Sequence, residues 1–349
     1  MAAIGDGPAE RLIGQTLLDA WYVEARIRID DGISGASRSA CYRARSPSGQ
    51  PAFVKAFDFR REELAGDTDS LEMMVREFNY ERNVHIFCRD SGINRVTRIY
   101  GAGKINVNGE VVHFLICEWA DKCLREHQPP GDSNVSASDR FAALRDVASA
   151  LAQLHYAGIA HQDAKPSNAV CPEDGAIMLA DLGSSSCQNL DAPPHDSQVL
   201  VGQPNYAPYE LLYERPPAGW HIRRFGCDLF LLGNLCFTTF TGGSLSYLTL
   251  HAIPSQLRPT EFAGEYEEVV PHLVEAHHML VRHFLEQAVP EPCAEDATRI
   301  VLSLCHPDPF RRGHSRNLSA NGNPFGLERF ISNFDLLAKR AQVLSHGRR

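Results

Sequence analysis

The chain has 349 residues, of which 44% are hydrophobic and 22% are charged, an ordinary balance for a globular protein with a large core. Its formal net charge of -9 leaves no basic excess to neutralise phosphates, which argues against a general nucleic-acid binder. The first residues contain no basic segment leading into an apolar run, and the longest apolar stretch, residues 229–240, is shorter than the ~20 residues that span a bilayer. We therefore expect neither a secretory signal nor membrane insertion.

The ten cysteines are scattered along the chain and form no Cys-x-x-Cys pair. Disulfide frameworks and zinc sites both use closely spaced or paired cysteines. The pattern therefore predicts reduced thiols in a cytoplasmic protein. The oligomeric state stays open at this point.

The first third of the chain is predicted to be rich in strands. Residues 21–29 alternate apolar and polar side chains. Strand-like runs follow at residues 39–45 and 51–57, separated by the turn Ser46-Pro47-Ser48-Gly49. This order predicts an antiparallel sheet near the start of the chain.

A helix and two further strands complete this first part. The apolar residues of the helix recur at helical spacing, at Leu71, Met74, Val75 and Phe78. Strands are expected around residues 96–100 and 111–118, joined by the hairpin signal Asn108-Gly109.

Beyond Glu118 the sequence favours helices. The first has apolar residues at 141, 144, 148, 151 and 154, with Ser138 as the expected N-cap and Gly158 just past its end. Further helices are predicted at residues 228–241, 266–287 and 294–304. A strand-rich unit followed by a helical one implies an α+β fold of two lobes with a ligand cleft between them.

One short stretch concentrates the polar chemistry. Residues 161–168 read His-Gln-Asp-Ala-Lys-Pro-Ser-Asn, and residues 181–183 read Asp-Leu-Gly. Such a set suits the transfer of a phosphoryl group to a hydroxyl, because Asp163 can orient the hydroxyl and accept its proton while Lys165 neutralises charge. Asn168 and Asp181 offer the hard oxygen ligands that Mg²⁺ prefers.

These two segments resemble the catalytic loop, HxDxKxxN, and the metal-binding loop, DxG, of the eukaryotic-like (bacterial-type) Ser/Thr protein kinase family. The resemblance implies a bilobal fold with a small antiparallel β-sheet lobe and a larger helical lobe. It also implies transfer of the γ-phosphoryl group of Mg-ATP to a protein substrate, itself included. Lys165, two residues after Asp163, matches the Ser/Thr-type loop rather than the Tyr-type loop.

The resemblance extends to a phosphate-covering loop and a strand lysine. The loop candidate is poor in glycine, and its nucleotide-contacting positions are Gly32, Gly35, Ala36, Ser37, Ser39 and Cys41. Lys55, in Ala52-Phe53-Val54-Lys55, resembles the lysine of V-A-I-K that holds the α- and β-phosphates. Phe53 stands where a small alanine is usual and is expected to crowd the adenine, since it shares a strand face with Lys55.

Two further elements follow from the same resemblance. Glu81 is predicted to pair with Lys55 in preference to Glu77, because Glu81 lies nearer the apolar stripe of its helix. Residues 117–120, Cys-Glu-Trp-Ala, resemble the segment that joins the lobes. There the backbone of Glu118 and Ala120 would hydrogen-bond the adenine, and Cys117 would border the back of the pocket.

The regulatory and anchoring positions are partly altered. Gln162 replaces the usual arginine of the catalytic loop, so regulation by phosphorylation of residues 181–210, the expected activation segment, is less expected. Gln203 replaces a threonine near the end of that segment. Asp228 resembles the aspartate that anchors the catalytic loop, and Arg312 resembles the arginine that pairs with Glu210.

We assign residues 12–313 to the kinase domain, with an N-terminal lobe at 12–117 and a C-terminal lobe at 118–313. Residues 314–349 form a helical extension and basic tail. The apolar residues of this extension recur at helical spacing, at Leu327, Phe330, Ile331, Phe334 and Leu337. The helix is predicted to pack on the helical lobe, with docking of a partner as the alternative.

Two other functions remain open. Phe53, the glycine-poor loop and Gln203 are compatible with a pseudokinase that binds nucleotide or partners without turnover, although the intact Asp163, Asn168 and Asp181 oppose it. A small-molecule kinase of the same fold is the second alternative. The segment that ends at Glu210 argues against it, because that segment offers a platform for a peptide.

Overall fold

The computed structural model describes residues 7–27, 39–59, 68–172, 175–319 and 322–346. The first part of the chain forms an antiparallel sheet with strand order β1-β2-β3-β4-β6-β5. Its elements are β1 (Thr16–Leu17), β2 (Trp21–Ile27), β3 (Ser39–Arg45), β4 (Pro51–Phe57), helix α1 (Thr68–Asp90), β5 (Ile99–Val107) and β6 (Glu110–Glu118).

Strand β4 shows how the sheet separates its two faces. Ala52, Val54 and Ala56 are fully buried and pack in a core that includes Ala9 and Leu12 of the N-terminal segment. Side chains alternate along a strand, so Phe53, Lys55 and Phe57 point to the other face. On that face helix α1 packs through apolar side chains, Met74 and Phe78, against a second small core. The alternation therefore places Lys55 on the face that α1 covers.

The rest of the chain is mainly helical. Its helices are α2 (Leu124–His127), α3 (Ala137–Tyr156), α4 (Tyr209–Leu212), α5 (Trp220–Thr241), α6 (Leu245–Ala252), α7 (Tyr266–Ala288), α8 (Ala294–Leu304), α9 (Ser315–Ser319) and α10 (Glu328–His346). Short antiparallel pairs lie among them, formed by β7 (Lys122–Cys123), β8 (Ile159–Ala160), β9 (Ala169–Cys171), β10 (Met178–Leu179) and β11 (Ser186–Cys187). Helix α5 forms the centre of the helical core, and its residues 224–240 are all buried. The α+β class predicted from the sequence is confirmed.

Three elements differ most from the predictions. The strand expected at residues 96–100 is β5, which begins at Ile99 and continues to Val107, while Val96 forms an isolated bridge to Leu179. Helix α5 begins at Trp220 rather than at residue 228, because its first turns mix polar residues and a glycine with the apolar ones. Helix α3 is capped by Ser136 and not by Ser138.

The cap of α3 has a clear cause. The Ser136 hydroxyl accepts a hydrogen bond from the Asp139 amide at 3.1 Å, and the Asp139 carboxylate accepts one from the Ser136 amide at 3.3 Å. This reciprocal capping box satisfies two helix-terminal donors, which Ser138 cannot do from inside the helix. At the other end Gly158 follows the helix with φ of 74°, a left-handed conformation that suits glycine.

Helix α10 packs on the helical core, as predicted. Leu327, Phe330, Phe334 and Leu337 are buried in the same cluster as the apolar residues of α3. Arg145 of α3 and Asp335 of α10 form an ion pair at 3.3 Å at the edge of this contact. Among the described residues, no helix combines the length and the apolar character that crossing a membrane requires.

Arg312 and Glu210 form a buried ion pair within the helical region. The guanidinium donates to both carboxylate oxygens, at 2.6 and 2.5 Å, and the two side chains are 0% and 3% exposed. Arg312 also donates to the His306 carbonyl and lies 4.9 Å from the centre of the Phe230 ring. The pairing predicted between Arg312 and Glu210 is confirmed by this geometry.

We predict that Arg312→Met lowers the free energy of unfolding by about 3–5 kcal/mol, because it leaves the Glu210 carboxylate buried without a partner. Denaturant unfolding of the purified protein measures the change. Arg340→Met is the matched control, since Arg340 pairs with Asp296 but is 45% exposed, and it should cost no more than about 1 kcal/mol. Equal losses in both variants would contradict the assignment of a special role to the buried pair.

Candidate active site

A cavity of about 370 Å³ lies between the six-stranded sheet and the helical region. Strands β3, β4 and β6 supply its sheet side, and the segment after β6 closes one edge. Residues of the stretch 167–181 supply the opposite side. The residues anticipated from the sequence that line it are Ser39, Cys41, Phe53, Lys55, Glu81, Cys117, Glu118, Ala120, Asn168 and Asp181. The remaining loop positions anticipated for the nucleotide, Gly32, Gly35, Ala36 and Ser37, lie outside the described residues.

Lys55 connects three elements of the site. Its Nζ donates to both carboxylate oxygens of Glu81 on α1, at 2.9 and 3.0 Å, and to Asp181 Oδ1 at 3.0 Å. Glu81, and not Glu77, therefore holds the position opposite Lys55. The side chains of Lys55 and Glu81 are 19% and 5% exposed, so these charges interact in a medium that screens them weakly.

The charge balance of this trio shows in its pKa values. Burial by itself would lower the pKa of Lys55, but the Asp181 and Glu81 carboxylates outweigh it and raise that pKa above its usual value. Burial likewise acts to raise the pKa of Asp181, yet Lys55 and Lys165 lower it to about 2. For Glu81 burial prevails over the attraction of Lys55, and its pKa is raised. Lys55 and Asp181 are therefore charged at neutral pH.

Asp163 is the centre of a second buried cluster. Its Oδ2 accepts hydrogen bonds from Lys165 Nζ at 2.7 Å and from Asn168 Nδ2 at 2.9 Å. Its Oδ1 accepts one from the Gln203 amide at 3.1 Å. Burial raises the pKa of Asp163 above its usual range, and the Lys165 ammonium opposes that rise. A carboxylate with a raised pKa is a better proton acceptor than an exposed one.

The end of the segment 181–210 reaches Asp163 because of a glycine. Gly202 has φ of 81°, and a Cβ atom there would lie 2.7 Å from the Gln162 carbonyl oxygen and 2.9 Å from Asp163 Oδ1. A residue with a side chain would push the segment away from Asp163. The glycine thus permits the hydrogen bond between Gln203 and Asp163.

Asp228 of α5 fixes the backbone at His161 and Gln162. This carboxylate is fully buried and accepts hydrogen bonds from the backbone amides of His161, at 2.8 Å, and Gln162, at 2.7 Å. His155 Nε2 lies 2.9 Å from the same group. Gln162 has φ of 62°, an unusual value for a residue with a side chain. The two hydrogen bonds from the backbone amides to Asp228 help to hold this conformation.

Asn168 and Asp181 are suited to a hard cation. Asn168 uses its Nδ2 for the carbonyl and the carboxylate of Asp163. Its amide oxygen, which accepts a long hydrogen bond of 3.5 Å from the Ser167 hydroxyl, is the atom suited to a cation. Asp181 carries the lowered pKa described above. No group of three or more His, Cys, Asp or Glu side chains suited to a metal exists among the described residues. A metal held here would take further ligands from a bound substrate, as Mg²⁺ does when phosphates coordinate it.

Two features of the cavity were not evident from the sequence. His85 also lines it, one helical turn after Glu81, and the i,i+4 spacing could have identified this residue. Burial raises the pKa of the Cys41 and Cys117 thiols to about 12, so both thiols are neutral and add no negative charge. Phe53 lies directly opposite Cys117 in the strand register, which places its ring at the wall of the cavity.

The sequence matches the model of the protein kinase domain over residues 37–321. The chain belongs to the protein kinase family. The matched region contains Lys55, Glu81, Asp163 and Asp181, so the two clusters described above lie within the kinase domain.

The kinase is similar to several curated relatives. These are the hormonally up-regulated neu tumor-associated kinase of Mus musculus, 26% identical over 178 residues, the serine/threonine-protein kinase PTK2/STK2 of Saccharomyces cerevisiae, 26% identical over 207 residues, and the serine/threonine-protein kinase PTK2 of Candida glabrata, 33% identical over 212 residues. The alignments cover 51%, 52% and 52% of the kinase and 21%, 24% and 25% of these relatives. The kinase therefore matches about a quarter of the length of each relative.

We predict that Asp228→Asn loosens the backbone at His161 and Gln162 of the kinase. An amide offers one acceptor oxygen where the carboxylate offers two, so one buried N–H loses its partner at a cost of about 1–3 kcal/mol. Hydrogen exchange at the His161 and Gln162 amides should then accelerate by about tenfold or more. Asp335→Asn, at the edge of the α3–α10 contact, should leave these amides unchanged. Equal exchange in Asp228→Asn and wild type would refute the anchoring role.

Proposed function

We propose that this chain is a Ser/Thr protein kinase that transfers the γ-phosphoryl group of Mg-ATP to a hydroxyl of a protein substrate. The observation that carries the proposal is a cavity lined by one charged cluster and joined through Asn168 to a second. Asp163 and Lys165 do not line the cavity themselves; Asn168, which does, donates to Asp163 Oδ2 at 2.9 Å. Lys55, Glu81 and Asp181 form the first cluster, and Asp163 with Lys165 forms the second. Relatives named as serine/threonine-protein kinases support the acceptor class.

In this proposal the nucleotide occupies the cavity between a sheet lobe and a helical lobe. Lys55 binds the α- and β-phosphates, and its contact with Glu81 keeps the ammonium directed into the cavity. The backbone of Glu118 and Ala120 holds the adenine, and Cys117 borders the inner wall. Asn168 and Asp181 would hold Mg²⁺, which neutralises charge on the phosphates when it is bound.

The transfer itself depends on Asp163. The substrate hydroxyl lies against the Asp163 carboxylate, which accepts its proton as the oxygen–phosphorus bond forms. The bond between the γ-phosphorus and the bridging oxygen breaks, and ADP leaves. Lys165 stabilises the negative charge on the transferred group, and most of the rate enhancement comes from positioning and electrostatics.

Ser/Thr specificity is supported by Lys165, which stands two residues after Asp163 and is 1% exposed. The catalytic loop has Gln162 instead of arginine before Asp163, so it is a non-RD loop.

We assign residues 12–313 to the kinase domain, with lobes at 12–117 and 118–313, and residues 314–349 to an extension. All ten cysteines are free thiols, which fits our assignment to the cytoplasm.

A pseudokinase is the second candidate, favoured by one observation. Phe53 lines the cavity opposite Cys117, where its ring reduces the space for an adenine. Against this candidate, the buried contacts of Asp163, Lys165 and Asn168 form a connected set that nucleotide binding alone does not need. A kinase of small molecules is less favoured, because the buried Arg312–Glu210 pair anchors the end of a segment suited to holding a peptide.

Incubation with labelled Mg-ATP tests the proposal. The wild type should incorporate label on serine or threonine, whereas Asp163→Ala and Asp181→Ala should reduce the rate by about 10²-fold or more, because they remove the base and a charged oxygen ligand. Phosphosite mapping identifies the acceptors. ATP binding detected by a thermal shift, without label on any protein, would establish the pseudokinase. ATP consumption with a small alcohol alone would establish the small-molecule kinase.

The pH dependence of the single-turnover rate tests the assignment of Asp163 as the base. The carboxylate must be ionised to accept a proton, so the rate falls as the pH drops through its pKa, which burial raises above the usual 3.8. Lys165→Met removes the charge that holds this pKa down, so the acid limb should move to higher pH. Lys339→Met, at a side chain that is 70% exposed, is the control. An acid limb that stays in place in Lys165→Met would exclude Asp163 as the titrating group.

A further inference from the structure

Gln162 joins the catalytic loop to the start of the activation segment, residues 181–210. Its Nε2 donates to the Ser184 carbonyl and to the Ser186 hydroxyl, both at 2.8 Å. Ser186 is buried within strand β11, which pairs with β8 just before the catalytic loop. The segment is therefore held at its beginning by a neutral side chain.

The side-chain oxygen of Gln162 accepts a hydrogen bond from a charged side chain of helix α5. Arg224 Nη1 donates to Gln162 Oε1 at 2.6 Å, and Arg224 Nη2 donates to Asp196 Oδ1 at 2.7 Å. The Arg224 side chain is 3% exposed, while that of Asp196 is 51% exposed. One buried guanidinium thus contacts both the catalytic loop and the middle of the activation segment.

The charges require this particular combination of residues. A buried guanidinium is costly unless hydrogen bonds and an opposite charge compensate it, and here Asp196 supplies the carboxylate. An arginine at position 162 would bring a second guanidinium next to Arg224. The neutral Gln162 and the charged Arg224 are therefore complementary, and the positive charge comes from α5 instead of from the catalytic loop.

The same segment also contacts the elements that carry the two charged clusters. The Cys187 amide donates to the Tyr80 hydroxyl at 2.9 Å, and Tyr80 precedes Glu81 on α1. At the far end the Gln203 amide donates to Asp163. The segment therefore contacts the residue before Glu81 on α1 and Asp163 itself.

We propose that Arg224 is a positioning residue of the kinase, which holds the catalytic loop against the activation segment through Gln162 and Asp196. The Asp196 carboxylate serves where an added phosphate would otherwise be needed, so the segment is ordered without being phosphorylated. This inference rests on the proposed function for its activity readout.

The first test compares two neighbouring arginines. Arg224→Gln should lower kcat by about 10²-fold with little change in the KM for ATP, because it misplaces the catalytic loop and not the nucleotide. Arg223 is the matched control, since it donates to the carbonyls of Asp196 and Gln198 but does not contact Gln162. Arg223→Gln should change kcat by no more than about threefold. Equal losses in the two variants would overturn the proposal.

Exchanging Gln162 and Arg224 distinguishes a positioning role from a contribution to stability alone. Gln162→Arg alone should lower kcat, because two guanidinium groups then meet in a buried site. The double variant, Gln162→Arg with Arg224→Gln, restores a single guanidinium beside Asp196 and should recover most of the lost kcat. A double variant no more active than the worse single variant would contradict the proposed complementarity.

The phosphate requirement is tested with protein treated with a phosphatase and with Ser197→Ala, which removes the exposed hydroxyl next to Asp196. Both should keep the kcat of the untreated wild type, and loss of activity in either would overturn the proposal. If the wild type transfers no phosphoryl group, the proposed function fails separately. Hydrogen exchange of residues 184–198 then decides the structural part, which requires faster exchange in Arg224→Gln than in Arg223→Gln.

Discussion

The contact between Lys55, Glu81 and Asp181 is the constraint on which the rest of the structure depends. These three groups are brought close together from strand β4, helix α1 and the loop after β10, with hydrogen bonds of 2.9 to 3.0 Å. Burying any one of these charged groups without the others would cost several kcal/mol or more, because an isolated charge in a protein interior loses its hydration. Helix α1 must therefore lie against the sheet, and the loop that carries Asp181 must approach from the helical region. The cavity is the space that remains between them.

Helix α5 positions the part of the site that contains Asp163. Its buried Asp228 holds the amides of His161 and Gln162, and this fixes the backbone that presents Asp163. One turn earlier, Arg224 reaches the side chain of Gln162 and the carboxylate of Asp196. The helix is buried on nearly all sides, so it offers these groups from a rigid support. A site built on such a helix keeps its geometry better than one built on loops alone.

Local patterns in the sequence were sufficient for most of the elements. Alternation identified the strand β2, the turn at residues 46–49 separated β3 from β4, and helical spacing identified α1, α3 and α10. The boundaries were less certain where local signals compete. Ser136 and Ser138 are both good N-caps, and only the position of Asp139 relative to the first turn selects Ser136. The strand β5 was placed too early because Val96 is apolar but forms an isolated bridge to Leu179 instead of pairing in the sheet.

By itself the sequence determined the chemical identity of the site: the spacing of His161 to Asn168, the Asp-Leu-Gly at 181–183 and the strand lysine at 55. The spacing within residues 161–168 is readable because these residues are neighbours in one loop, whereas Lys55 and Asp181 are recognised from their own short motifs. The sequence favoured Glu81 over Glu77 and placed Phe53 on the strand face of Lys55, whereas the tertiary structure alone decided that Arg224 meets Gln162. The partners in the last pair are 62 positions apart in the chain. Contacts between residues so far apart depend on how helices and sheet pack, and no local pattern of residue types records that packing.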